Sequence, residues 1–243
     1  MRLDLYLCTY GFFDSRNKAQ RAINDSRVSV NGKIITKTAY EVEENDSVEV
    51  SPSETLEFVG RGGNKLEHAF NNFNISANGK ICLDIGASTG GFTQCLLMNG
   101  AEKVYAVDSG RDQLAEILKN DNRVVSIEGF NARALTINEL DGNRPTMIVM
   151  DVSFISQKLL YPAIISVAGE NCDIITLIKP QFEVGKQHLG KHGIVKDVKV
   201  RNKAVLDIID HAKQMGFRYI SHIESPITGG DGNIEFLLHL QLN

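Results

Sequence analysis

The segment LDIGASTGG, residues 83–91, sets Gly86, Gly90 and Gly91 between a strand-like run and a helix-like run. Glycine at such a turn lets the backbone approach a ligand closely, and the following helix offers unpaired N–H groups. The spacing is not G-x-G-x-x-G, and no Lys-Ser/Thr pair follows the last glycine, which weighs against a dinucleotide fingerprint and a nucleoside-triphosphate loop alike. Asp84 ends the strand-like run and can meet a ligand amine directly or through the loop. Asp108 ends the next such run, where an acid can bind two ribose hydroxyls. Asn131, in GFNAR after the third run, can read an adenine edge; a plain polar loop explains it equally well. Two lysines and two carboxylates form a second set. Asp151 closes TMIVMD, Lys179 closes DIITLIK, Glu235 opens the last strand-like run, and Lys65 opens the helix before the first. Open α/β sheets bind ligands at the carboxyl ends of their strands, so these four side chains can converge. Each taken alone reads as an ordinary strand-end ion pair.

The elements that must position these residues are legible as periodicity. From Ile81 onward, strand-like runs (ICLDIG, KVYAVD, VVSIEG, TMIVMD, DIITLIK) alternate with helical stretches (FTQCLLMNG, RDQLAEILKN, QKLLYPAIISVAG). A long amphipathic stretch, DVKVRNKAVLDIIDHAKQMG, precedes two final strands in RYISHIESP and IEFLLHLQL. This alternation predicts an α/β domain, a mostly parallel Rossmann-like sheet with helices on both faces. The first 50 residues differ. Leu3, Leu5 and Leu7 lie in a short helix stopped near Gly11. SRNKAQRAIND makes a second helix, capped by Asp14 or Ser15 and buried through Ala19, Ala22 and Ile23. VSVNGKII carries the hairpin signal Asn31-Gly32, and SVEV closes a small α+β unit. Residues 51–64 are rich in turn formers and read as a connection. The expected division is therefore 1–59, a linker at 60–64, and 65–243, with Leu66, Ala69 and Phe70 seating the helix that follows the linker.

The net charge of -4 announces no global attraction to nucleic acid. Residues 1–37 nevertheless hold seven basic against three acidic side chains, and residues 38–59 contain no Lys or Arg. A local basic face on an acidic protein follows. Cys8, Cys82, Cys95 and Cys172 form no C-x-x-C pair and no ligand spacing with His, so they read as free thiols of a reducing compartment, not a metal site. The start lacks a signal-peptide core, and the longest apolar stretches fall well short of the roughly 20 residues of a membrane helix. A cytoplasmic protein without stable membrane insertion is expected.

The D-x-G-x-x-x-G-G loop followed by a strand-end Asp resembles the S-adenosylmethionine site of class I methyltransferases. By that resemblance Asp84, Gly86, Ala87, Ser88, Thr89, Gly90, Phe92, Asp108, Asn131 and Asp151 are the candidate cofactor residues. Lys65, Asp151, Lys179 and Glu235 resemble the Lys-Asp-Lys-Glu tetrad of FtsJ-like ribose 2′-O-methyltransferases. The whole chain is similar to one branch, the TlyA family of rRNA 2′-O-methyltransferases, also called hemolysins. The matching stretches are RLD (2–4), SR (15–16), VNG (30–32), RGGNKL (61–66), DIGASTGGF (84–92), MDVSFIS (150–156), IKPQFEVG (178–185), GIVKD (193–197) and SPITGGDGNIEF (225–236). Asn64 and Gly60 depart from the family, which often has an apolar residue and a serine there. Residues 1–59 resemble an S4 RNA-binding domain.

The resemblance implies 2′-O-methylation of a ribose, a cytidine of ribosomal RNA and chiefly of the large subunit, since the chain starts at RLD and stops after the last strand as the short family version does. A ribose hydroxyl is a poor nucleophile at neutral pH. Lys179 is the candidate to take its proton, or to hold the hydroxyl with the oxygen lone pair facing the methyl group, and a lysine takes the proton only where burial or a nearby cation lowers its pKa. Lys65 can be that cation. Asp151 orients Lys179, although a carboxylate opposes the shift, and Glu235 positions Lys65 or the ribose. The 2′-hydroxyl makes RNA the target class. Arg2, Arg16, Lys18, Arg21, Arg27, Lys33 and Arg61 are candidate phosphate contacts, as are Lys186 and Lys191 in a loop that also carries His188, His192 and Lys196. Two other classes remain: a membrane-active hemolysin, which liposome leakage by the pure protein reveals, and a non-catalytic RNA-binding assembly factor, which survives loss of Lys179.

Overall fold

The structure is a computed structural model that describes residues 1–13, 16–24, 26–51 and 58–242, with Asn17 and Arg21 described for backbone only. The proposed caps Asp14 and Ser15, and residues 52–57 of the expected connection, lie outside the described residues. The chain forms two compact units, Met1–Glu57 and Phe58–Asn243.

The first unit packs α1 (Leu3–Thr9) and α2 (Arg16–Asn24) on the strands β1 (Val28–Val30), β2 (Lys33–Ile34) and β3 (Val48–Val50). These pair antiparallel in the order β2-β1-β3. Asn31 and Gly32 both have positive φ, 52° and 75°, as the two-residue turn between twisted strands demands. Leu3, Leu7, Ala19, Ala22 and Ile23 fill the core, whereas Leu5 faces water. The helices are also tied by a charge. The buried Asp4 carboxylate accepts from Arg2, from Arg16 at 2.9 Å and from Gln20 at 2.7 Å. The hydrogen bonds from Arg2 hold this carboxyl well below the usual range against the opposing effect of burial.

The second unit begins with α3 (Gly62–Phe73) and continues through β4 (Ile81–Ile85), α4 (Gly91–Met98), β5 (Lys103–Asp108), α5 (Glu116–Lys119), β6 (Val124–Glu128), β7 (Met147–Met150), α6 (Tyr161–Val167), β8 (Cys172–Ile178), α7 (Pro180–Glu183), α8 (Val198–Gln214), β9 (Arg218–Glu224) and β10 (Phe236–Leu242). The sheet order is β6-β5-β4-β7-β8-β10-β9. Strands β4 to β8 run parallel, and β10 lies antiparallel between β8 and β9. Alternate residues separate two apolar layers, as a sheet covered on both faces requires. Leu83, Ile85, Ile148 and Met150 meet α6 and α8 on one side. Val104, Val149, Ile175 and Leu237 meet α3 and α4 on the other.

Three expectations shift. Residues 60–64 are no free linker: Gly60 and Arg61 turn into α3, which starts at Gly62, so Lys65 lies one turn inside the helix rather than opening it. RDQLAEILKN is helical only over Glu116–Lys119. The Glu128 carboxylate accepts the backbone N–H groups of Asp112, Gln113 and Leu114, which holds the preceding residues as a loop. In QKLLYPAIISVAG the regular helix begins only at Tyr161, with Pro162 in its first turn and a tighter 3-10 turn, Gln157–Leu160, before it. Of the thiols, Cys82, Cys95 and Cys172 are buried and free, and Cys8 is half-buried.

The glycines of residues 60–63 act through contact rather than flexibility. A Cβ on Gly63 would enter the Phe58 ring, and one on Gly91 would stand 2.9 Å from both the Gly60 carbonyl oxygen and the Gly63 nitrogen. The start of α3 thus lies backbone against backbone on the start of α4. Beneath the same loop, Asp84 is wholly buried and accepts from Thr93 Oγ1 at 2.7 Å, while its other oxygen has no protein partner. Burial pushes the Asp84 carboxyl up to about 7.

Two outcomes follow. Gly63→Ala destabilises the second unit by about 1–3 kcal/mol through overpacking, read as a lower Tm; an unchanged Tm contradicts the packing. Asp84 gives a pH signature: between about 4 and about 7 the unfolded chain has released this proton and the folded chain keeps it, so stability falls as pH rises through that window. Asp84→Asn removes this slope, and its Tm relative to the unsubstituted protein rises from about pH 4 to about pH 8. A constant difference across that range overturns the assignment.

Candidate active site

The chain leaves β4 to build β5 and β6 on one side, then returns to place β7 on the other. This reversal opens a crevice at the carboxyl ends of β4 and β7, the ligand-binding position of open α/β sheets. A cleft of about 290 Å³ lies there. Gly86, Ala87, Ser88, Thr89 and Phe92 line one wall, and Lys65, Asp151, Ser153, Lys179 and Glu235 line the other. Gly60, Arg61 and Gly62 complete it on one side and Gly229 and Gly230 on another. Gly86 has φ 85°, and a Cβ there would meet the Asp151 carbonyl, so the loops after β4 and β7 touch through this residue.

Strand polarity brings the four charged residues together. Asp151 and Lys179 directly follow the parallel strands β7 and β8. The antiparallel β10 pairs Phe236 with Ile178, so Glu235, one residue earlier, arrives opposite Lys179. Lys65 reaches the same place from α3. The Lys65 ammonium donates to Glu235 at 2.5 Å, with side-chain exposures of 9% and 2%. Lys179 stands 2.6 Å from Asp151 Oδ1 as an ion pair. At this distance the carboxylate draws one N–H of the ammonium by charge. The Lys179 ammonium also donates to Ser153 Oγ, at 2.8 Å.

A lysine held beside a carboxylate at the mouth of a cleft can orient or accept a proton from a hydroxyl placed there. A second, desolvated lysine–carboxylate pair adds fixed charges where water is scarce. Such a pair is weak evidence for stability, but removing one partner leaves the other buried and costs about 3–5 kcal/mol.

Other candidates lie around the cleft rather than in its lining. Asp84 lies beneath the loop, and Gly90 is turned toward Leu114 and Leu118. Asp108 accepts the backbone N–H of Ser88 at 2.8 Å and of Gly110 at 2.7 Å, which fixes the outer edge of the loop. A carboxylate has about four acceptor positions, so some stay available for a ligand. Asn131 caps a 3-10 turn by accepting from the Arg133 backbone N–H. Among the basic candidates, Arg61 lines the cleft, Lys33, Lys186 and Lys191 are exposed, and Arg2 and Arg16 are engaged by Asp4. Arg27 donates to the Ser51 carbonyl. Lys18 is exposed, and Arg21 falls within α2.

Sequence reasoning passed over Ser153, Phe154, Gly229 and Asn233. Phe154 is 91% exposed with φ 64°, its ring 5.1 Å from that of Phe182. Gly229 leaves room for the Glu235 carboxylate, where a Cβ would collide. The buried Asn233 accepts from the Val195 N–H and donates to the Gly193 carbonyl, joining the segment before β10 to the loop after α7. Ser153 and Phe154 sit inside MDVSFIS, and Gly229 and Asn233 inside SPITGGDGNIEF, where the available signal was nearness in sequence to Asp151 or Glu235.

Among the described residues, no helix is long and apolar enough to cross a membrane. A family model described as FtsJ-like methyltransferase matches residues 58–242, and one described as S4 domain matches residues 1–48. Hemolysin A of Brachyspira hyodysenteriae is 46% identical over 98% of this chain and 99% of its own length. The 16S/23S rRNA (cytidine-2′-O)-methyltransferase TlyA of Mycobacterium tuberculosis is 40% identical, over 99% of this chain and 89% of its own. A solved structure, a hemolysin-like protein from Streptococcus thermophilus, superposes with a TM-score of 0.79 at 38% identity, covering 100% of this chain and 88% of that one. With the methyltransferase match running from Phe58 to the last strand and the relatives aligned along nearly the full length, this chain belongs to the FtsJ-like methyltransferase family and carries an S4 domain ahead of the catalytic one.

Proposed function

We propose that the protein transfers a methyl group from S-adenosylmethionine to the 2′-hydroxyl of a ribose, a cytidine in ribosomal RNA, with the large-subunit RNA as the principal target. The observation that carries this reading is the convergence of two lysine–carboxylate pairs, Lys179 with Asp151 and Lys65 with Glu235, against a glycine loop at the switch point of the sheet. The name of the Mycobacterium tuberculosis relative supplies the nucleotide and the RNA class.

The residues present suit the cofactor. Gly86, Ala87, Ser88 and Thr89 form a side-chain-poor wall at the start of α4, and Asp108 beyond it keeps acceptor capacity for ribose hydroxyls. Phe92 and Asp151 offer an apolar face and a negative charge to a sulfonium. S-adenosylmethionine, when bound, supplies an electrophilic methyl group. The chain itself has to orient a hydroxyl and manage its proton. Lys179 receives the hydroxyl while Asp151 holds the lysine beside the cleft. Lys65 adds positive charge, and Glu235 keeps Lys65 in place. Positioning of this kind contributes as much as base strength. Arg61 at the cleft and the exposed Lys186 and Lys191 suit phosphates, and the exposed Phe154 ring suits stacking on an unpaired base. The S4 domain is read as the second RNA contact.

The test is mass mapping of ribosomal RNA after incubation with S-adenosylmethionine. One new ribose methylation is expected, lost with Lys179→Ala and with Asp151→Ala. Methylation confined to bases defeats the mechanism, and a Lys179→Ala protein that fully complements a deletion strain favours an assembly factor instead. Calorimetric titration then separates the roles. Asp108→Ala weakens S-adenosylmethionine binding, whereas Lys65→Ala, measured well below its Tm, largely spares it; equal losses in both contradict the division.

A further inference from the structure

We infer that Ser153 is the positioning residue that aims the Lys179 amine, an inference that rests on the ribose methylation reading above. The Lys179 ammonium has two neighbours of different kinds. Asp151, 2.6 Å away, draws one N–H by its charge but does not fix which of the two remaining positions on the nitrogen holds a hydrogen and which is turned to the cleft. Ser153 Oγ, at 2.8 Å, does fix this.

This matters because a neutral lysine amine has two N–H bonds and one lone pair. With one N–H on Ser153 and the other drawn toward Asp151, the lone pair is left pointing into the cleft, where a hydroxyl can share its proton. Without Ser153 only the N–H drawn to Asp151 is held, and the second N–H can turn into the cleft, where it competes for the direction the lone pair must take.

The backbone is built to place this hydroxyl. The Asp151 N–H donates to the Ile85 carbonyl, anchoring the end of β7 to β4. Phe154 then takes a left-handed φ of 64°, which turns the chain after Ser153. Ser153 lines the cleft while the next side chain stands 91% exposed. Farther along, the Glu183 carboxylate accepts from Ser156 Oγ at 2.5 Å and from the Gln157 N–H at 2.9 Å. Glu183 closes α7, the turn that begins next to Lys179. The Ser153 segment and the Lys179 segment are thus locked to each other by a half-buried carboxylate, and the Ser153–Lys179 distance is set by the fold rather than by two free side chains.

The experiment has two arms. In protein labelled with ¹⁵N at the lysine side chains, the Lys179 signal, identified by its loss in Lys179→Arg, shows slowed proton exchange in the unsubstituted protein and in Ser153→Thr. It loses that protection in Ser153→Ala. Unchanged protection in Ser153→Ala overturns the inference whatever the reaction turns out to be. In the second arm, kcat and KM for ribosomal RNA methylation are measured on the same variants. Ser153→Ala lowers kcat on the order of 10-fold to 100-fold with little change in KM or in S-adenosylmethionine affinity. Ser153→Thr restores most of kcat, because it keeps the acceptor oxygen. Equal loss in the alanine and threonine variants, or an unchanged kcat in the alanine variant, overturns the role. Absence of ribose methylation by the unsubstituted protein overturns the functional reading and the catalytic role of Ser153 together, while the exchange arm still decides the hydrogen bond.

Discussion

The Lys65–Glu235 pair joins the first helix of the second unit to the threshold of its last strand across 170 positions of sequence. Both side chains are almost fully removed from water. Desolvating either charge alone is prohibitive, so the pair constrains everything that delivers it. Helix α3 must reach the edge of the sheet with its first turn intact, and the last strand must enter antiparallel so that its start, not its end, lies at the carboxyl edge. The first condition is met by glycines that let α3 press on α4 backbone to backbone. The second is met by inserting β10 between β8 and β9, which brings Glu235 beside Lys179.

This arrangement makes the cleft a meeting of loops from widely separated parts of the chain, each fixed by a specific contact. Gly86 brings the loop after β4 onto the carbonyl of Asp151. Asp108 holds Ser88 by its backbone. Asn233 ties the segment before Glu235 to the loop after α7. Glu183 ties the Ser153 segment to the Lys179 segment. Chemistry that depends on the direction of one amine lone pair needs such bracing, because a flexible lysine stem does not hold a direction by itself.

The first unit follows the same logic at smaller scale. Its buried Asp4 recruits Arg2 and Arg16, so these two guanidinium groups serve the fold as well as the surface. A basic side chain counted from sequence as free for phosphate can already be engaged within its own domain.

The sequence by itself determined the class of fold and which four charged residues are proposed as the tetrad. Strand and helix periods, the glycine loop, and the positions of Asp151, Lys179 and Glu235 at strand boundaries are local properties, written in consecutive residues. They place the side chains at one edge once the sheet is assumed open and mostly parallel. The tertiary structure decided what depends on distant neighbours. Residues 60–64 look like a spacer because glycines favour turns, but here the glycines are demanded by Phe58, Thr89 and Gly91, which no local pattern reveals. RDQLAEILKN has the composition of a helix, yet Glu128 from the next strand captures its backbone N–H groups. Asp84 is placed by its motif to meet a ligand directly or through the loop, and only the packing shows it wholly buried beneath that loop. Ser153 carried no signal of its own, because an acceptor becomes meaningful only when a lysine 26 positions away turns its ammonium toward it.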